Sequence, residues 1–217
     1  MSTNLYAKEN TQNLTKLKDL APEQLKAFND FNVEVFKEGA LTVKEKEIVA
    51  VAIAHITQCP YCIDAHTRKA KSAGASLEEL VEAAFVAAAV EAGGAVTHST
   101  HVHNAKNVDA SDVLYARSNL KNLSKLGKFA HVGFRGYTAF SAAATKEGKL
   151  SAKFKEIIAT ASGIASQCPY CIDVHTKKAE QLGATSEELA EAIMVASALR
   201  AGGSYVHMAN MIQSYQD

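Results

Sequence analysis

Apolar residues recur every three or four positions along most of the chain, and no segment alternates convincingly between apolar and polar residues. This spacing predicts helices. Pro22 stands where a first helix can begin, and we expect that helix to run to Gly39. A second helix is predicted from Val43 to about Thr57. The apolar residues that define these two helices are Leu25, Phe28, Phe31, Val35 and Phe36, then Ile48, Val51, Ala52 and Ile56.

Capping signals predict where the next two helices begin and end. Pro60 suits the first position of a helix, which makes Cys59 the N-cap, and Gly74 is a suitable C-cap after Ala73. Ser76 and Glu79 then form a capping box before an alanine-rich fourth helix that runs towards Gly93 and Gly94. The pattern therefore predicts an all-α fold.

The whole pattern occurs twice, with an offset of 109 residues. Between 37–98 and 146–207, 35 of the 62 aligned positions are identical. This predicts two similar helical repeats related by a pseudo-two-fold axis. We expect the first repeat at 1–103 (core 37–100), a connector at 104–118 and the second repeat at 119–217 (core 146–209).

The composition argues against some classes of function. The 217 residues include 23 basic and 23 acidic side chains, so no excess of positive charge indicates nucleic-acid binding. The N-terminal residues show no signal peptide, and we found no run of about 20 apolar residues that would span a membrane. We therefore expect a soluble cytoplasmic protein that interacts with neither nucleic acid nor membrane. In that compartment its cysteines rest reduced, and a disulfide would be a working state.

All four cysteines lie in two nearly identical motifs, Gln58-Cys59-Pro60-Tyr61-Cys62-Ile63-Asp64-x-His66-Thr67 and Gln167-Cys168-Pro169-Tyr170-Cys171-Ile172-Asp173-x-His175-Thr176. A cysteine at a helix N-terminus lies near free N–H groups and the positive end of the helix dipole, which stabilise a thiolate. Cys62 and His66 follow Cys59 on the same helix face. The histidine can take a thiol proton there.

A glutamate on the preceding helix lies twelve residues before the first cysteine of each motif. Glu47 lies in an otherwise apolar stretch, and Glu156 repeats it. Its carboxylate would orient the imidazole. A thiolate, a base, an orienting group and a second thiol that resolves a sulfenic acid together indicate a dithiol peroxidase or disulfide reductase. This chemistry calls for no cofactor and no metal. The candidate catalytic residues are Glu47, Cys59, Cys62, His66, Glu156, Cys168, Cys171 and His175.

Several alternatives remain. The CxxC pairs could be part of a structural zinc site or be inert buried thiols, and Glu47 could be a solvated helix residue. His98, His101 and His103 have metal-ligand spacing, but the second repeat keeps only His207, so we interpret them as surface or interface residues. The tyrosines inside the motifs could pack or hydrogen-bond a substrate oxygen.

The run from Glu47 through Cys59-x-x-Cys62-x-x-x-His66 to Gly74-Ala75-Ser76-x-Glu78-Glu79 resembles the carboxymuconolactone decarboxylase superfamily, within it the alkylhydroperoxidase AhpD-like branch. The resemblance implies a helical, peroxiredoxin-type thiol oxidoreductase, recycled by a dithiol or disulfide protein or a small thiol. It assigns the thiols to Cys59 and Cys62 and the proton relay to Glu47 and His66, with their counterparts in the second copy. The best-known AhpD motif has a histidine directly before its second cysteine, where this chain has Tyr61 and Tyr170.

We therefore predict an antioxidant peroxidase with a complete active site in each repeat. Its helix-end position makes Cys59 the more acidic thiol and the one that meets a reductant, whereas Cys62, nearer to His66, reacts with the peroxide. Because single-repeat members are often hexamers, the resemblance implies a homo-oligomer, a trimer or a dimer. The alternatives are a decarboxylase-type small-molecule enzyme and a non-enzymatic redox sensor.

Overall fold

A computed structural model describes residues 6–105 and 115–216, except the side chains of residues 103 and 104. The described residues form helices and no strands, which confirms the all-α prediction. The first repeat consists of the 3-10 helix η1 (Lys8–Lys16) and helices α1 (Leu17–Leu20), α2 (Pro22–Val35), α3 (Val43–Ile56), α4 (Pro60–Ser72), α5 (Leu77–His98) and α6 (Thr100–Ala105). The second consists of η2 (Arg117–Asn122), α7 (Leu123–Phe129), α8 (His131–Thr145), α9 (Ala152–Ala165), α10 (Pro169–Gln181) and α11 (Ser186–Gln216).

The capping signals place most helix ends correctly. The predicted box is formed, since Ser76 accepts from the Glu79 N–H, and Thr185 accepts from the Glu188 N–H at the same point of the second repeat. Gly74 takes the positive φ of a helix C-cap, at 89°. One end differs from the prediction, because α2 stops at Val35 and not at Gly39.

The second repeat begins earlier than the sequence alignment indicated. Helix η2 starts at Arg117, two residues inside the predicted connector 104–118, and at the offset of 109 it corresponds to η1, which starts at Lys8. Helix α6 extends to Ala105 at the other end of that segment. Residues 106–114 of the predicted connector lie outside the described residues.

Helices α3 and α9 form the centre of the core. They pack against each other, one from each repeat, and their branched side chains Ile48, Val49, Ile53, Ile157 and Ile158 are almost completely buried. Because both helices are buried on nearly all sides, apolar residues occupy most of their positions. Burial of this kind stabilises the association of the repeats at roughly 1.5–3 kcal/mol per large side chain.

The long helices α5 and α11 cross from one repeat to the other. Helix α5 packs on α3 of its own repeat and also on α8, α9 and α10 of the second repeat. Helix α11 packs on α9 and, in the reciprocal manner, on η1, α2, α3 and α4 of the first repeat. Each repeat therefore supplies a helix to the other's half of the molecule.

Two partly buried carboxylates stabilise these crossings. Glu191 of α11 accepts hydrogen bonds from the backbone N–H groups of Ala40 (2.9 Å) and Leu41 (2.8 Å), and it pairs with the buried ammonium of Lys46 at 3.0 Å. We call this arrangement the Glu191 clamp. The reciprocal Glu82 clamp joins Glu82 of α5 to the N–H groups of Lys149 and Leu150 and to Lys155. Charge-assisted bonds of this kind are stronger than neutral ones.

One segment of the described chain, Leu77–Val102, is long and apolar enough to span a membrane by length and composition. The sequence had predicted no such segment. Leu77–Val102 consists of α5 and the start of α6, and α5 packs on helices of both repeats.

Candidate active site

A residue in the left-handed backbone conformation directly precedes each cysteine pair. Gln58 and Gln167, directly before the first cysteine of each pair, have φ values of 52° and 58°. Non-glycine residues rarely adopt this conformation. The turn returns the N–H of Cys59 to the carbonyl of Ala54 at 3.2 Å, so helix α4 begins against the end of α3. The repetition of this unusual turn shows that both motifs are held in the same way.

The first cysteine of each pair caps its helix, as predicted. The Sγ of Cys59 accepts a hydrogen bond from the N–H of Cys62 at 3.3 Å, and Cys168 accepts from Cys171 at the same distance. Cys59 and Cys62 are joined as a disulfide, whereas Cys168 and Cys171 are buried free thiols. The two motifs therefore represent the oxidised and the reduced form of one arrangement.

The reduced pair shares a single negative charge. The hydrogen bond from the Cys171 thiol, followed by the Cys171 backbone N–H, the Thr97 hydroxyl and the nearby His98, lowers the pKa of Cys168 to about 5 in spite of its burial. The same contact, with burial, raises the pKa of Cys171 above its usual range. At neutral pH the first thiol is ionised and the second is protonated.

Each histidine is hydrogen-bonded to the glutamate predicted to orient it. The Nδ1 of His66 lies 2.7 Å from Oε2 of Glu47, and that of His175 lies 2.6 Å from Oε2 of Glu156. Both glutamates are 4% exposed, so the reading of Glu47 as a solvated helix residue is wrong. Since Nδ1 is engaged by the carboxylate, Nε2 is the nitrogen left for proton transfer.

A cavity of about 440 Å³ opens beside the first cysteine pair. Cys62 and His66 line it, whereas Cys59 does not. Cys59 is 0% exposed and Cys62 is 7% exposed. The cavity therefore favours Cys62, and not Cys59 as expected, as the cysteine that a reductant reaches.

The cysteines, histidine and glutamate of each site come from one repeat, but the other repeat supplies residues around them. In the first site, Leu199, Gly202 and Tyr205 of α11 form the cavity wall opposite the cysteines. In the second site, α5 plays this part: the hydroxyl of Thr97 lies 3.6 Å from Sγ of Cys168, and the carbonyl of Val90 lies 4.0 Å from Sγ of Cys171. Each site therefore requires both repeats.

His98, His101 and His207 lie where the repeats meet. The rings of His98 and His101 pack against Tyr115 and Tyr170 of the second repeat, and His207 packs against Tyr61 of the first. The side chain of His103 lies outside the described residues. Within 6–105 and 115–216, no three His, Cys, Asp or Glu side chains are grouped to hold a metal ion.

Sequence reasoning missed several residues that surround the thiols. Phe36 stacks on the His66 ring at 5.5 Å, and Thr97 contacts Cys168 from the other repeat. The phenol of Tyr137 lies against Gly93 in the second site. The one available signal was their difference from the positions 109 residues away, Thr145, Val206 and Phe28.

A duplicated all-α fold with a dithiol, a histidine and a buried glutamate in each half defines a class of helical thiol proteins. The sequence model of the carboxymuconolactone decarboxylase family matches residues 22–105 and 133–213. The chain therefore belongs to the carboxymuconolactone decarboxylase family, and the two matches are consistent with a tandem duplication.

Curated relatives do not assign an activity. An uncharacterized protein of the cox locus of Paracoccus denitrificans is 45% identical over 73 residues, which are 34% of this chain and 66% of that protein. An uncharacterized protein of Cupriavidus necator is 32% identical over 75 residues, 35% of this chain and 66% of its own length. The chain thus spans just under two thirds of each relative. No solved structure matches it.

Proposed function

We propose that this protein is a thiol-dependent peroxidase that reduces hydroperoxides by dithiol and disulfide chemistry, with Cys62 and Cys171 as the peroxide-reactive thiols. The observation that carries the proposal is the lining of the first cavity, where Cys62 and His66 are adjacent and Glu47 holds the far side of the imidazole. A thiol, a base and an orienting carboxylate around one cavity are the groups that this reaction needs.

In the first step, the sulfur of Cys62 attacks the distal oxygen of the hydroperoxide and the O–O bond breaks. The sulfur is oxidised to a sulfenic acid, and the peroxide is reduced to an alcohol, or to water when the substrate is hydrogen peroxide. The thiol proton passes to Nε2 of His66 and from there to the leaving oxygen, while Glu47 stabilises the imidazolium.

In the second step, the buried partner thiolate attacks the sulfenic sulfur and closes the disulfide. The histidine of the site, protonated again from solvent, gives a proton to the departing hydroxide, which leaves as water. The low pKa of Cys168 supports this role, because the resolving sulfur is already ionised near neutral pH. A reductant with two thiols then attacks the accessible sulfur. The more acidic thiolate leaves, since the lower-pKa thiol is the better leaving group.

The test is a count of thiols by mass spectrometry after reduction and after one equivalent of hydroperoxide per site. The expected result is one disulfide inside each CxxC pair and one alcohol released per disulfide. Cys59→Ser and Cys62→Ser, each with the second pair replaced by serine, separate the roles: Cys62→Ser abolishes peroxide consumption, and Cys59→Ser leaves a sulfenic acid that can be trapped.

Two other outcomes would replace this proposal. Turnover of a lactone that survives alkylation of all four thiols would indicate a decarboxylase-type enzyme with incidental cysteines. Reversible disulfides without peroxide turnover in the presence of a dithiol reductant would indicate a redox sensor.

The reductant, the assembly and the compartment are part of the same proposal. The reductant is a dithiol protein or a small thiol that reaches Cys62 through the cavity. We propose a cytoplasmic homo-oligomer, a trimer or a dimer, supported by exposed apolar residues such as Phe85 and Phe129. Light scattering after size-exclusion chromatography tests the assembly, and a mass of one chain would exclude it.

A further inference from the structure

The two thiol sites have different surroundings, although their cysteines, histidines and glutamates are the same. In the first site, the rings of Phe28, Phe36, Tyr61 and Tyr205 form one part of the cavity wall. Phe36 stacks on His66, and Phe28 stacks on Tyr205 of α11 with 4.4 Å between ring centroids. Beside these rings Gly202 meets nothing within 4 Å of an added Cβ, so this side of the cavity is open.

The second site replaces these rings with smaller or hydroxyl-bearing side chains. At the offset of 109, Phe36 becomes Thr145 and Tyr205 becomes Val96. Val206 becomes Thr97, whose hydroxyl contacts Cys168. Thr145 and Thr97 therefore place hydroxyl groups where the first site has the apolar side chains of Phe36 and Val206.

Tyr137 marks the largest difference. It corresponds to Phe28, but Val96 offers it no ring on which to stack. Its phenol instead lies against Gly93, so close that a Cβ added there would come within 2.7 Å of the Tyr137 oxygen. Burial raises the pKa of this phenol, and the two nearby thiols add to the effect. The hydroxyl is therefore protonated, shares a hydrogen bond with Ser141 and lies near the two thiols of the second pair.

We propose that the two sites reduce hydroperoxides of different chemical class: the first takes organic hydroperoxides with an aromatic or bulky apolar body, and the second takes hydrogen peroxide, with the Tyr137 hydroxyl donating a hydrogen bond to the peroxide oxygen. This inference rests on the peroxidase function proposed above. The first site favours an apolar body because burying it between Phe36, Phe28 and Tyr205 removes apolar surface from water. The second offers hydrogen bonds to a substrate that is entirely polar.

The experiment isolates each site in the full chain. Cys168→Ser/Cys171→Ser leaves only the first pair, and Cys59→Ser/Cys62→Ser leaves only the second. Each pre-reduced variant is mixed with cumene hydroperoxide or with hydrogen peroxide, without reductant, and the rate of disulfide formation is followed. We expect the ratio of the cumene hydroperoxide rate to the hydrogen peroxide rate to be at least about ten-fold higher at the first site.

Reciprocal substitutions on the crossing helices provide matched controls. Tyr205→Val should lower that ratio at the first site, and Val96→Tyr should raise it at the second by offering Tyr137 a stacking partner. Tyr137→Phe, which keeps the ring, should lower the hydrogen peroxide rate at the second site by about ten-fold or more. Its own control is Tyr215→Phe, which removes the hydroxyl of a tyrosine that is 92% exposed and does not line the first cavity, and which leaves both rates unchanged.

The outcomes separate the two proposals. Ratios equal within two-fold at sites that both react would overturn the difference in substrate class and leave the peroxidase function standing. A chain in which neither site forms a disulfide with either peroxide would overturn the peroxidase function and this inference with it.

Discussion

The hydroxyl oxygen of Thr97 lies 3.6 Å from the Sγ of Cys168, although the two residues belong to different repeats. Thr97 lies near the end of α5, the helix of the first repeat that packs against the second repeat. At the equivalent point of the first site, α11 carries Val206, which has no hydroxyl. A hydrogen bond to the ionised sulfur is thus available in the second site from a residue that the first site lacks.

We predict that Thr97→Val raises the pKa of Cys168 from about 5 by about one pH unit, because the thiolate loses one of its hydrogen-bond donors. The ultraviolet absorbance of the thiolate, titrated in the reduced Cys59→Ser/Cys62→Ser background, measures it. Val206→Thr is the matched control and leaves this titration unchanged, since Val206 lines the other site. An unchanged pKa in Thr97→Val would mean that the hydroxyl does not donate to the sulfur.

The same ionisation predicts a dependence of stability on pH. The folded-state pKa of Cys168 is lowered from 9.0 to about 5, so between these values the unfolded chain holds a proton that the native protein has released. The contribution of Cys168 to stability is therefore fully present above about pH 9 and is lost as the pH falls through about 5.

Urea unfolding of the reduced Cys59→Ser/Cys62→Ser protein from pH 5 to pH 9 tests this. Its free energy of unfolding should rise with pH relative to that of the same protein with Cys168→Ser added. Parallel curves for the two proteins would contradict the lowered pKa.

The sequence predicts the helices well because their ends carry local signals. Pro60 and the box of Ser76 and Glu79 act within one helical turn, so their effect is visible without tertiary structure. The contact of Glu47 with His66 was predictable for another reason. A carboxylate in an apolar stretch needs a partner, and its recurrence at the offset of 109 indicated which residue that partner is.

The crossing of α5 and α11 could not be predicted. Glu82 and Glu191 are equivalent in the two repeats. Each could contact its own repeat, or each could contact the other repeat. Both arrangements have the same sequence pattern. The contacts of α5 with α8, α9 and α10 show that the helices exchange. The differences between the sites, such as Phe36 against Thr145, acquire meaning only after the crossing is known.

We predict that the orienting glutamates act on their own sites alone. Glu47→Gln should slow disulfide formation at the first pair by about 10²-fold or more, because a neutral amide no longer stabilises the imidazolium of His66. Glu156→Gln should do the same at the second pair through His175. Peptide mass spectrometry after a peroxide pulse reports each pair separately, so each variant is the control for the other. Equal slowing of both pairs by either variant would instead indicate a general loss of structure.

We predict that the Glu191 clamp holds the crossing helix in place. Glu191→Ala removes the acceptor for the N–H groups of Ala40 and Leu41 and leaves the ammonium of Lys46, which is 4% exposed, without its carboxylate. The expected loss is about 2–4 kcal/mol in the free energy of unfolding, measured by urea denaturation. Gly39→Ala should act in the same direction, because a Cβ there would overlap the carboxylate of Glu191.

The control for the clamp is Glu91→Ala, which removes an exposed carboxylate from α5 and should change stability by no more than about 0.5 kcal/mol. A cost for Glu191→Ala no greater than that of the control would show that the clamp contributes nothing. Because α11 also forms the wall opposite Cys62, the clamp variant should lose peroxide reactivity at the first pair more than at the second. Since Glu82 holds α5, Glu82→Ala should reverse that order.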